Sequence, residues 1–190
     1  MLNKKTNLNG SLYLTKLAKL ISELDVNSID NCVDLIESVW KSGKQIIVLG
    51  NGGSSMTALH MVTDWNKSIF LKTGIHFRGR TLIDNIGLVM AYANDISFSD
   101  IFVEQLKNIL LPGDLVIAIS GSGNSENVIK AVEYANLNSA LTLSLTGFDG
   151  GKLKLISKNN FWVKVDDMQL AEDMHSIFGH IVMQRLCNSN

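Results

Sequence analysis

The chain has 190 residues, 46% of them hydrophobic and 18% charged, which suits a folded globular unit and excludes a disordered polar chain. A net charge of -1 removes the electrostatic basis for nonspecific nucleic-acid binding, and fifteen glycines against one proline, Pro112, exclude a proline-rich linker or collagen-like repeat. Two widely spaced cysteines, Cys32 and Cys187, form neither a metal-ligand set nor a disulfide framework and read as reduced thiols. Residues 1–9 are polar and lack the apolar stretch of a signal peptide, and no apolar run is long enough to span a bilayer. A soluble, cytoplasmic protein without nucleic-acid or membrane partners is expected.

Ser11 to Leu24 carries Leu12, Leu14, Leu17, Leu20, Ile21 and Leu24 in a helical stripe. Asn27 to Lys41 repeats the pattern through Ile29, Val33, Leu35, Ile36 and Val39, with Asn27 or Ser28 as the expected N-cap and Gly43 as the stop. Gln45 to Leu49 is then a short continuous apolar run, followed by Gly-Asn-Gly-Gly and a helix over Ser55 to Lys67. Ile75 to Phe77 is a strand candidate, and Leu82 to Tyr92 and Phe98 to Leu110 read as helices. Leu115 to Ile119 repeats the strand–loop–helix arrangement, with Ser120 to Ser125 as the loop and Glu126 to Asn136 as the helix. Leu141 to Leu145 is a further strand, with Thr146 to Gly151 as its loop. Phe161 to Val165 is the last strand, and a helix over Gln169 to Cys187 closes the chain. Buried strands alternating with helices predict an α/β fold, a parallel sheet covered on both faces. The whole chain reads as one domain: residues 1–43 as two leading helices, residues 44–190 as the α/β core.

The loops GNGGSS (Gly50 to Ser55) and SGSGNS (Ser120 to Ser125) hold most of the functional information. Each follows an apolar strand and opens a helix, so unpaired N–H groups and the positive end of a helix dipole lie at the carboxyl edge of the sheet. Neither loop has the lysine of a P-loop, and Ser55 stands where a dinucleotide fingerprint needs its third glycine. In a flavodoxin-like sheet ordered 2-1-3-4-5 the two loops meet at the topological switch point. An oxyanion or a polyol is the ligand such a pair suits.

These motifs, in order, resemble the SIS (sugar isomerase) domain family and within it the phosphoheptose isomerases. The resemblance rests on GNGGSS at Gly50, His60, AND at Ala93 to Asp95, PGD at Pro112, SGSGNS at Ser120, LTGFDGGKL at Leu145, and the last helix with Glu172, His175 and His180. It covers nearly the whole chain. It implies conversion of sedoheptulose 7-phosphate to D-glycero-D-manno-heptose 7-phosphate through an enediol, in the synthesis of surface heptoses. It also implies a homotetramer with sites between subunits, the leading helices in the interface, and zinc. Carried over by position, Ser120, Ser122 and Ser125 grip the phosphate, while Asn51, Ser54 and Asp95 contact the sugar. Gly52, Gly53, Gly121, Asn124 and Gln169 complete the substrate-binding set. His60, Asp64, Glu172 and His180 are the implied metal ligands, and Asp64, Glu172 and His180 the implied catalytic groups.

Four positions depart from the family pattern. Asp64 stands for a glutamate, Glu172 for a glutamine, Gly121 for a threonine and Gln169 for an aspartate. Taken together, Asp64, Gln169 and Glu172 keep the charge of the site, the carboxylate lost at Gln169 reappearing at Glu172, and the longer carboxylate moves to the last helix. His60 and Asp64, four residues apart, share a helix face. Glu172 and His180 are separated by about 12 Å of rise on a regular helix. They share one site only if that helix begins irregularly or if two subunits contribute. Two other readings fit the same motifs: a noncatalytic relative that binds a replication initiator or senses phosphosugars, and an isomerase for another phosphosugar. His76 and the tryptophans Trp40 and Trp162 read as packing residues, Trp65 as packing or, beside Asp64, as a lining residue of the pocket, and His175 divides between packing and site.

Overall fold

The computed structural model describes residues 9–189. The reading of the polar N-terminus therefore falls outside the described residues except for Asn9. Two helices come first, α1 (Gly10–Ser22) and α2 (Val26–Lys41). Asn9 caps α1 by accepting from the Leu12 N–H. Asp25 caps α2, ahead of the expected Asn27 or Ser28, because its carboxylate reaches the Asn27 N–H from an extended backbone.

The core elements are β1 (Ile46–Gly50), α3 (Gly52–Asp64), α4 (Phe70–Thr73), β2 (Gly79–Thr81), α5 (Ile86–Asp95), α6 (Val103–Ile109), β3 (Leu115–Ser120), α7 (Glu126–Leu137), β4 (Leu141–Thr146), α8 (Gly151–Ile156), β5 (Asn159–Trp162) and α9 (Met168–Cys187). The five strands lie in the order β2-β1-β3-β4-β5, all neighbours parallel. This is the doubly wound α/β sheet expected, with the reversal between β1 and β3.

Alternate strand residues feed two cores, which is why Ile46–Leu49 of β1 and Leu115–Ile119 of β3 are apolar at every position rather than at every second one. Ile46, Val48, Leu115, Ile117 and Ile119 pack against α2, α3 and α9, and Ile47, Leu49, Val116 and Ala118 pack against α6, α7 and α8. Burying each such side chain contributes about 1.5–3 kcal/mol. The Pro112-Gly113-Asp114 turn sets the start of β3. The buried Asp114 carboxylate accepts from the N–H groups of Leu111 and Gln45, at 2.9 and 3.0 Å.

Several boundaries differ from the sequence expectation. The edge strand is Gly79–Thr81, not Ile75 to Phe77; Phe77 turns into the core beside Trp40 and Trp65 instead. The helix after the first glycine loop begins at Gly52 and runs on through a π-helical stretch, Trp65–Ile69, into α4. The expected helix from Phe98 is a 3-10 turn followed by α6. The helix after β2 starts at Ile86, where Asn85 caps it. The last strand is Asn159–Trp162, and Gly151–Ile156 forms a short helix that was not expected. No described helix is long and apolar enough to cross a membrane.

Candidate active site

The two glycine-serine loops meet at the carboxyl edge of β1 and β3. Asn51 and Ser125 are the N-caps of α3 and α7, and neither side chain bonds to its own helix. The N–H groups of Gly52, Gly53 and Ser54 in α3 and of Glu126 and Asn127 in α7 are thus left for a ligand, while that of Val128 is taken by the Asn127 side chain. Ser120 Oγ lies 3.3 Å from Ser125 Oγ. Together with Asn51, Ser54, Ile119, Gly121, Ser122, Met168 and Glu172 they line a cavity of about 130 Å³. Among the described residues no lysine or arginine lines it. An anion there is held by hydroxyls and backbone N–H groups.

Close packing fixes the loops. Gly50 must be glycine because a Cβ would lie 2.8 Å from the Ile119 carbonyl oxygen and 2.8 Å from Ser54 Cβ. Asn51 and Asn127 exchange amide hydrogen bonds of 2.8 and 2.9 Å, and the Asn127 carbonyl also accepts from the Val128 N–H. The Asn51 amide, expected on the sugar, therefore has its carbonyl and one N–H committed to the buried Asn127. Sequence reasoning missed Asn127. An asparagine in the first turn of a helix carries no local signal of a partner in another loop.

Helices α3 and α9 lie side by side and run in the same direction. A Cβ at Gly53 would meet Glu172 Oε1 at 2.8 Å, and farther along a Cβ at Gly179 would meet Met61 Cγ at 2.8 Å. The buried Trp65 indole donates to the Gly179 carbonyl at 2.9 Å, so it is a packing residue. At the near end of the groove, Glu172 sits over the start of α3 and faces the serine cavity. At the far end, His60 Nε2 approaches Asp64 Oδ2 to 3.1 Å and His180 Nε2 approaches it to 4.0 Å, the rings 5.1 Å apart. The three ligand atoms all lie within 4.8 Å of one another. Both histidines are about half exposed, with side-chain exposures of 55% and 50%.

Two imidazoles and one carboxylate, open on the solvent side, fit a catalytic zinc ion, which takes three protein ligands and keeps a fourth position free. Glu172 is not in that cluster. Helix α9 is regular over its 20 residues, so the separation expected from helical rise stands, and within one chain Glu172 and His180 serve opposite ends of the groove.

The remaining expected residues are spread around this frame. Gly52 adopts a positive φ of 52° at the start of α3. Ser122 Oγ accepts from the Asn124 N–H at 3.2 Å, and the Asn124 side chain turns outward to the Ser122 carbonyl and the Lys152 N–H. Asp95 ends α5, exposed, and accepts from its neighbour Asn94; it does not line the serine cavity. Gln169 is exposed, since the helix start points it outward while Met168 faces the cavity. His76 stacks on Phe70, away from both clusters.

Around α9 two further groups are electrostatically perturbed. Tyr13 on α1 donates to Asp173 at 2.6 Å; that hydrogen bond, aided by burial, pushes the phenol up to about 12 and docks α1 beside Glu172. His175 is fully buried, edge-on to Phe161, with neither ring nitrogen in a formed hydrogen bond. Burial lowers it to about 4, against a small opposing pull from the Thr146 backbone, so it is neutral at physiological pH. It is a packing residue, one turn beyond Glu172. Burial also pushes the free Cys32 thiol up to about 11.

Comparison with known proteins agrees with this architecture. A probable phosphoheptose isomerase from Thermoplasma acidophilum is 33% identical over 175 residues, covering 92% of this chain and 96% of that protein. A phosphoheptose isomerase from Helicobacter pylori is 36% identical over 151 residues, covering 78% and 76%. In fold, a phosphoheptose isomerase from Francisella tularensis superposes with a TM-score of 0.88 at 22% identity, covering 94% of this chain and 96% of that one. With the SIS domain model matching residues 12–147, this chain belongs to the SIS domain family.

Proposed function

We propose that this chain is a phosphoheptose isomerase, interconverting sedoheptulose 7-phosphate and D-glycero-D-manno-heptose 7-phosphate. The observation that carries the reading is the pairing of an anion cradle with acid/base groups along one groove, in a chain whose relatives bear that name. Ser120, Ser125 and the two open helix N-termini bind the phosphate, with Ser122 at its edge. The sugar extends past Ser54 toward Glu172.

Moving the carbonyl between C1 and C2 requires a base that takes a proton from one carbon and returns it to the other, and an acid that serves the oxygens. Glu172 is the base in this reading. Its carboxylate lies over the start of α3 and faces the serine cavity, within reach of a sugar that leaves the cradle past Ser54. His180 exchanges protons with the two oxygens as the enediol forms and collapses. His60, Asp64 and His180 would hold zinc, which when bound supplies polarisation of the carbonyl oxygen.

Because α9 is one unbroken α-helix, Glu172 and the His180 cluster act on one substrate when two copies of the chain face each other. Self-association, as a tetramer by family resemblance, is supported by the exposure of His60, His180 and the apolar Met56 on the same surface. The test is incubation with sedoheptulose 7-phosphate, with and without zinc, followed by NMR. Appearance of the aldose phosphate is expected, and no turnover under either condition overturns the assignment.

A further inference from the structure

Met168, the first residue of α9, lies between two spaces. On one side is the 130 Å³ serine cavity. On the other is an outer cleft of about 890 Å³ beyond the ends of β4 and β5, walled by Phe148 and Trp162 and edged by Asp149, Lys164 and Asp166. Among the described residues only Met168 and Ser122 line both. The methionine reaches this position because residue 121 is glycine. A Cβ on Gly121 would overlap the Met168 sulfur, with Cε at 3.2 Å.

The loop cannot retreat to make room. The Gly121 carbonyl accepts from the Gly147 N–H at 2.8 Å, and a Cβ at Gly147 would in turn meet Ala171 Cβ at 2.7 Å. Gly121, Gly147 and the start of α9 are thus stacked directly on one another. The volume that a side chain on the loop would fill is filled from the helix.

We propose that Met168 is a specificity-determining residue, a wall that restricts the anion cavity to terminal phosphate monoesters. The inference rests on the phosphate assignment made above. A phosphate seated between Ser120 and Ser125, with its sugar leaving toward Ser54 and Glu172, turns an oxygen toward the thioether. A monoester has nothing further to place there. A diester must direct its second substituent into the outer cleft, and the methionine stands in that path. Truncation joins the cavity to the cleft and offers the second substituent an aromatic floor of Phe148 and Trp162.

The test compares sn-glycerol 3-phosphate, a monoester, with glycerophosphocholine, its diester, by calorimetric titration of the intact protein. The wild type binds the monoester and discriminates against the diester at least 100-fold. In Met168→Ala the discrimination falls at least tenfold, chiefly through tighter diester binding. In the double variant Gly121→Thr/Met168→Ala, where the threonine refills the gap from the loop side, discrimination returns toward the wild-type ratio. Gly121→Thr alone places both groups in one volume and lowers the melting temperature, whereas the double variant recovers it. If the wild type binds the monoester but Met168→Ala keeps the full discrimination, the wall is overturned and the phosphate assignment stands. If the wild type binds no monoester, the phosphate assignment falls and the wall with it.

Discussion

Asn51 and Asn127 face each other amide to amide, each donating to the carbonyl of the other. This double hydrogen bond joins the first glycine loop to the helix that the second loop opens, and so fixes the spacing of the two helix N-termini around the anion cavity. Asn127→Asp replaces the donor with a second acceptor, leaving the Asn51 carbonyl unpaired against a carboxylate. Loss of a buried partner of this kind costs about 1–3 kcal/mol. A melting temperature lower by several degrees is expected, with weakened phosphate binding. Unchanged binding of inorganic phosphate by calorimetry would show that the pair does not set the cavity.

The sheet was legible in the sequence because Ile46–Leu49 and Leu115–Ile119 are continuous apolar runs closed by glycine loops, as doubly covered parallel strands require, while β4 alternates leucine with buried Thr and Ser before its own glycine loop. The edge strand was misplaced because it has three residues, and Arg80 in its middle faces solvent. The serine cradle and the His60–Asp64 pair were legible because each is local, within one loop or one helical turn. Asn127, and the contact of Met168 with Gly121, were not. Both join segments far apart in the chain, and neither residue type is unusual where it stands. The separation of Glu172 from His180 followed from helical rise alone, and the regular α9 leaves it intact.

His175 makes stability depend on acid. In the unfolded chain its imidazole binds a proton near 6.5, while in the folded chain burial holds it to about 4. The unfolded state therefore takes up the proton first. The contribution is fully present above pH 6.5 and is lost as pH falls toward 4, about 3 kcal/mol in all at the usual 1.36 kcal/mol per unit. His175→Leu removes the titrating group and the two unpaired nitrogens. Urea melts at pH 7.5, 5.5 and 4.5 are expected to show a smaller decline for the variant than for the wild type. Parallel declines would rule out His175 as the source.

The carboxylate of Glu172 can be displaced without touching it. Gly53 lies in regular helix, so alanine suits its backbone, but the added Cβ meets Glu172 Oε1 at 2.8 Å. The carboxylate is the far end of a flexible side chain and yields by shifting. Gly53→Ala is expected to keep its melting temperature and its KM while kcat falls about 100-fold, the penalty for a misplacement of about 1 Å. A kcat within twofold of wild type would exclude Glu172 as the proton-abstracting group.

Zinc binding separates the two ends of the groove. His60→Ala removes a ligand from the three-atom cluster and Asp64→Asn removes its negative charge, and affinity for Zn²⁺ by competition with a chromophoric chelator is expected to fall about 100-fold or more, since the loss of a direct ligand exceeds the 10–100-fold typical of outer partners. Glu172→Gln is expected to bind zinc as the wild type does and to lose turnover. Loss of zinc from Glu172→Gln would move that residue from base to ligand.

The last expectation concerns which chains build one site. Glu172 and His180 are eight residues apart on one unbroken α-helix, so about 12 Å of rise separates them in any single copy. A proton abstracted at one carbon and an oxygen protonated at its neighbour are adjacent atoms, and one unbroken helix does not present both groups to them. Two copies facing each other do. Glu172→Gln and His180→Ala are each expected to be inactive alone. Unfolded together and refolded as a mixture, they form assemblies in which some sites draw the intact Glu172 from one chain and the intact His180 from the other. Those sites recover turnover that neither parent has. If both groups of a site come from one chain, every site in the mixture lacks one of them, and mixing restores nothing.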